Sequence, residues 1–129
     1  MILLLDTQVA IWAAQDSPRL SGPARTLLID AGNEVVVSAV SLWEIAIKFA
    51  SGKLPFSPAM AMAAFRASGY RSLAMTEAHA GMVANLPEVD DHKDPFDRML
   101  VAQALAESIR LVTADTKLAR YPAGCIEPV

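Results

Sequence analysis

Ile2-Leu3-Leu4-Leu5-Asp6-Thr7 opens the chain with four consecutive large aliphatic residues that stop at an acid. A short unbroken apolar run reads as a strand of a buried, largely parallel sheet, and a carboxylate at its end sits on the rim of that sheet. Two further runs are followed by acids: Val35-Val36-Val37-Ser38 by Glu44, and Leu111-Val112-Thr113 by Asp115. Strand ends of an open α/β sheet converge on one crevice, so this fold would gather the acids into one pocket.

Between these runs the residues recur with helical period, giving the alternation of βαβ units. Strands are expected near Ile2–Leu5, Glu34–Ser38, Arg71–Leu73 and Arg110–Thr113, with a short last one near Cys125–Glu127. Ser21 with Pro23 starts a helix that Gly32 ends, Ser41 starts one that Gly52 ends, and Ser57-Pro58 starts one that Gly69 stops. Thr76 caps a fourth, which halts before Pro87, and the polar stretch Glu88 to Lys93 is a loop.

That loop delivers the chain to Asp94-Pro95-Phe96-Asp97-Arg98, the start of an amphipathic helix with two carboxylates one turn apart. Asp94 reads as N-cap, Pro95 as the first helical residue and Asp97 as the third, both acids facing the positive helix end. Glu44 has two readings. Ser41-Leu42-Trp43-Glu44 is a capping box, and Glu44 with Lys48 is an i,i+4 helix pair. Asp6-Thr7 and Thr113-Ala114-Asp115-Thr116 likewise read either as helix starts or as pocket acids.

Carboxylates within about 4–6 Å of one another resist joint ionisation unless a cation neutralises them. Oxygen-only donors favour a hard ion, magnesium or manganese, over zinc; the chain has one cysteine and two histidines, without zinc-like spacing. The chemistry that most often uses such a site is phosphodiester cleavage by activated water.

Taken together, Leu4-Leu5-Asp6-Thr7, Ser41-Leu42-Trp43-Glu44-Ile45 leading to Gly52-Lys53-Leu54, Asp94-Pro95-Phe96-Asp97-Arg98 with Ala102-Gln103-Ala104, and Thr113-Ala114-Asp115 resemble the PIN-domain ribonucleases. Among these the chain is similar to the VapC-type toxins of bacterial toxin–antitoxin pairs. The resemblance implies a three-layer α/β/α sandwich on a mainly parallel sheet and a magnesium-dependent endoribonuclease, with Mn2+ a substitute for Mg2+. It implies that Asp6, Glu44, Asp97 and Asp115 are the metal-binding carboxylates. RNA is then the substrate, a small VapB-type antitoxin the inhibitor, and a homodimer the assembly. Thr7, Asp94, Arg98 and Thr113 are candidates to orient those carboxylates or touch substrate.

Two rivals stand beside this reading. A receiver-like signalling domain also gathers acids around magnesium, but it needs an aspartate after the third strand, where this chain has Ala74-Met75-Thr76. A catalytically silent PIN-fold binding protein would not need acids at all four positions.

At 129 residues the chain reads as a single domain, 1–129. Hydrophobic content of 53% and a mean hydropathy of +0.33 exceed what a monomer needs, so surplus apolar surface is assigned to a partner. The weakly charged stretch Val35 to Ala50 is too short to span a bilayer, and Met1 to Leu5 lacks the basic lead of a signal peptide. A cytoplasmic protein without membrane contact is expected, and the single Cys125 agrees.

A formal charge of −3 would ordinarily argue against nucleic acid. Setting aside the four proposed ligands leaves 10 acids against 11 Lys and Arg, so net charge does not decide the substrate. Trp12 and Trp43 are expected in the core, and His79 on a helix surface. His92 is a solvated loop residue, and Lys48 pairs with Glu44 rather than with phosphate. The stripe Met60, Met62, Phe65 reads as core or as an interface.

Overall fold

The computed structural model describes residues 1–88 and 94–129; the expectations for His92 and Lys93 lie outside the described residues. The strands are β1 Ile2–Leu5, β2 Glu34–Ser38, β3 Arg71–Leu73, β4 Arg110–Thr113 and β5 Ile126–Pro128, the last displaced by one residue from its expected span. The helices are α1 Thr7–Ala14, α2 Gly22–Ile29, α3 Ala39–Ala50, α4 Pro58–Ala67, α5 Glu77–Met82 and α6 Pro95–Glu107.

All neighbouring strands run parallel, in the order β3-β2-β1-β4-β5. Side chains alternate across the sheet. Leu3 and Leu5 therefore pack on one face with Val9 of α1, Ala24 of α2 and Phe65 of α4, while Leu4 packs on the other with Leu100, Val101 and Ala104 of α6. The result is the expected α/β/α sandwich. Its sheet order also removes the receiver alternative, because a receiver sheet has the order 2-1-3-4-5.

The chain leaves β1 toward β2 and β3 on one side and returns to β4 and β5 on the other, so the order of strand addition reverses between β1 and β4. Open parallel sheets bind ligands at such a reversal, beyond the carboxyl strand ends. Asp6 and Asp115 flank it.

Several helix starts follow the expected residues. Ser21, Ser57 and Thr76 each accept a hydrogen bond from the backbone amide three positions on. Asp94 caps α6, accepting from Phe96 N at 2.9 Å and Asp97 N at 3.1 Å.

The start of α3 differs. Its cap is Ser38, the last residue of β2, whose Oγ accepts from Val40 N at 3.0 Å. Ser41 lies inside the helix and accepts from Thr7 Oγ1 at 3.0 Å, so the Ser41–Glu44 capping box does not form and Glu44 sits in the second turn. Two side chains also depart from expectation. Trp43 is 58% exposed rather than in the core, resting edge-on against Phe96 at 4.9 Å between ring centroids. The stripe Met60, Met62, Phe65 divides as its two readings allow, with Phe65 buried in the core and Met60 exposed. His79 is buried, because it closes a capping box with Thr76 and meets partners from α6.

Candidate active site

Each sequence-predicted acid stands at or near a helix start on the carboxyl edge of the sheet. Asp6 caps α1: Oδ1 accepts from Val9 N at 2.8 Å, and Oδ2 accepts from the Thr113 hydroxyl. That hydroxyl also accepts from Asp115 N at 3.0 Å, so the buried Thr113 ties the end of β1 to the end of β4. Asp115 in turn caps the short 3-10 turn Thr116–Arg120, accepting from Lys117 N at 2.9 Å. Capping and pocket membership are therefore not alternatives; a carboxylate has two oxygens and can serve both.

These acids share one cavity. A space of about 330 Å3 is lined by Asp6, Glu44, Asp94, Asp97 and Asp115, with Thr7, Gln8, Ile11 and Trp12 along the α1 wall and Lys48 from α3. Lys48 is the one basic residue among the described lining residues. Arg98, by contrast, does not line this space. Its guanidinium donates to the Tyr121 hydroxyl at 2.8 Å and the Pro87 carbonyl at 3.2 Å, which fixes the start of α6 to the chain on either side.

Burial pushes the Asp6 carboxyl up to about 6, against the lowering effect of its bonds to Thr113 and Val9; Asp97 and Asp115 push it further in the same direction. Glu44 shows the second electrostatic peculiarity. Only 7% exposed, it accepts from Lys48 Nζ at 2.7 Å through Oε2, while Oε1 is buried with no hydrogen-bond partner among the described residues. A buried acceptor left unmet costs about 1–3 kcal/mol, more when charged, so this atom calls for a cation or water.

The donor set, carboxylate oxygen throughout, suits magnesium or manganese. Among the described residues no three acidic, histidine or cysteine side chains form a ready-made metal cluster. Magnesium keeps several waters and takes one or two carboxylates directly, so it does not require such a cluster. Lys48 pairs with Glu44 as the sequence led one to expect, whereas Gln8 and Trp12 were not singled out for this site by sequence. The signal was present for α1: a helix beginning after Asp6 presents positions 7, 8, 11 and 12 on one side.

Three comparisons bear on this arrangement. A family model described as PIN domain matches residues 3–124. Ribonuclease VapC22 of Mycobacterium tuberculosis is 31% identical over 117 residues, 90% of this chain and 88% of the relative. Among solved structures, DNA-bound VapBC from Salmonella typhimurium superposes with a TM-score of 0.70 at 19% identity, covering 99% of this chain and 98% of the other. VapBC2 from Rickettsia felis, bound to a DNA fragment from the promoter, gives 0.66 at 18% identity, with the same coverage.

Proposed function

This chain belongs to the PIN-domain family and is of the VapC type, and from that premise we propose that it is a magnesium-dependent endoribonuclease toxin held in check by a VapB-type antitoxin. The observation that carries the metal-dependent reading is Glu44 Oε1, a buried carboxylate oxygen without a hydrogen-bond partner among the described residues, on a cavity that four aspartates also line.

Asp6, Glu44, Asp97 and Asp115 would hold the ion, in one or two sites, and Asp94 would stay chiefly a cap. When bound, the divalent ion supplies Lewis acidity that lowers the pKa of water and offsets charge developing on the phosphate. The protein's own contribution is orientation. Thr113 holds Asp6 and the backbone of Asp115 at a fixed separation, and Lys48 holds one oxygen of Glu44 so that the other stays turned inward. Excess chelator should abolish RNA cleavage, magnesium or manganese should restore it, and zinc should restore it poorly. Full cleavage in chelator would end this reading.

Trp12 gives the cavity an aromatic wall. Bases of single-stranded RNA stack on such side chains, with about 1–3 kcal/mol lost per base on substitution by alanine. Trp12→Ala should therefore raise KM for an RNA oligonucleotide about ten-fold while sparing kcat. An unchanged KM would exclude the stacking role.

Partner binding is supported by two features. Trp43 and Ile47, one turn apart on α3, leave apolar surface exposed, as does Met60 of α4. The acid-lined cavity would also accept a guanidinium in bidentate fashion, the means by which an antitoxin arginine would block it. A homodimer belongs to the same reading.

A further inference from the structure

We propose that Gln103 is a positioning residue for the acid pocket: with Ser38 and His79 it locks α6, which carries Asp97, against the β2–α3 junction, where the helix that carries Glu44 begins. The proposal rests on the metal-dependent reading given above and extends it to a buried cluster outside the cavity.

Ser38, Gln103 and His79 are each 1% exposed or less. Ser38 Oγ accepts from Val40 N, and so has its proton free to donate to Gln103 Oε1 at 2.6 Å. Gln103 Nε2 lies 3.2 Å from His79 Nδ1 and 3.5 Å from the Ala74 carbonyl, just past the end of β3. Since His79 Nδ1 also accepts from Thr76 N at 3.0 Å, the ring carries its proton on Nε2, which then donates to Glu107 Oε2 at 3.2 Å. Glu107 is one turn beyond Gln103 on α6. The histidine of α5 is thus tied to α6 at two points, and α6 is tied through Gln103 to the ends of β2 and β3.

Such a network is a demanding way to fill a core, since an apolar set of the same shape would leave no polar group to satisfy. Its geometry explains the choice. Dispersion contacts let a helix turn or slide slightly, whereas a chain of directed hydrogen bonds does not. Turning α6 by about 20° would carry a side-chain end, about 5–6 Å from the axis, through roughly 2 Å. Metal–ligand distances tolerate only about 0.2 Å. Asp97 and Gln103 share one helix, and Ser38 begins the helix of Glu44, so the network sets the separation of the two carboxylates.

The contact between Trp43 and Phe96 reports on this separation without any metal, because each ring is the chain neighbour of one carboxylate. Gln103→Met is compared with Ile126→Val, a core truncation on β5 that leaves the network intact. Both variants should melt at lower temperature than the parent. Gln103→Met alone should shift the Trp43 indole N–H resonance, assigned with Trp43→Phe, in metal-free protein. It should also raise the Mn2+ concentration for half-saturation and lower kcat, each about 10–100-fold, with KM for RNA unchanged. An indole resonance and Mn2+ half-saturation at parental values would overturn the proposal, whatever the melting point. Should Gln103→Met not fold, Glu107→Ala, at the more exposed end of the network, should move the same resonance by less, and an unmoved resonance there overturns the proposal equally. If the parent neither binds Mn2+ nor cleaves RNA, the functional reading fails, and the indole shift alone decides whether the network positions the helices.

Discussion

Asp6→Asn is expected to abolish RNA cleavage while making the metal-free protein more stable at pH 8. The native carboxyl is raised from 3.8 to about 6, mainly by burial. A raised carboxyl contributes stability that is fully present below about pH 4 and is lost as pH rises through about 6. Roughly two units at 1.36 kcal/mol each correspond to about 3 kcal/mol, the cost of holding this group ionised without a cation above pH 7. An asparagine caps α1 as well as an aspartate and carries no charge, so the substitution removes that cost less whatever the amide loses at Thr113. Urea denaturation in chelator should show the variant gaining on the parent between pH 4 and pH 8. Saturating magnesium should close the gap by stabilising the parent alone, and its affinity for the parent should rise with pH through about 6 as the proton leaves. A gap that does not widen with pH would mean Asp6 ionises as an ordinary aspartate.

The paired variants Asp97→Asn and Asp94→Asn are expected to separate by about two orders of magnitude or more in kcat. Loss of a ligand charge removes several kcal/mol of transition-state stabilisation, and about 4 kcal/mol is roughly a thousand-fold. Asp94 is exposed, and its described bonds are those to Phe96 N and Asp97 N, which an asparagine reproduces, so its variant should stay within about ten-fold of the parent. Asp94→Ala should cost about 1 kcal/mol of stability through the lost cap. Cleavage assays on the purified variants at saturating magnesium make the comparison. The reverse ranking would show that cap and ligand had been exchanged.

What the sequence disclosed, and what it hid, follows from the range of the interactions concerned. Strand positions and most helix starts were readable because apolar runs, serines, prolines and glycines act on their immediate neighbours. The start of α3 was not. Ser38 and Ser41 are both competent caps, and the choice falls to Ser38 because β2 runs on to pair that residue with Leu73, while Thr7 engages Ser41 from another helix. His79 and Trp43 were misplaced for the same reason. Helical period says which residues share a face, but not which face a distant segment will cover: Gln103 and Glu107 bury the histidine, and Phe96 meets the tryptophan only at its edge. The acids of the cavity were legible from strand ends and resemblance, whereas the shared duty of Thr113 required β1 and β4 to be side by side.

That adjacency has a bearing on how the protein is made. The Thr113 hydroxyl that fixes Asp6 lies 107 residues further along the chain. At about 5–20 residues per second, a ribosome that has just made Asp6 needs roughly 5–20 s to reach its partner, and contacts of such long range also form late in folding. A nascent chain therefore presents Asp6 without Thr113 or Asp115. In the proposed reading, a protein directed against RNA cannot threaten the message from which it is being translated until Thr113 and Asp115 have been made.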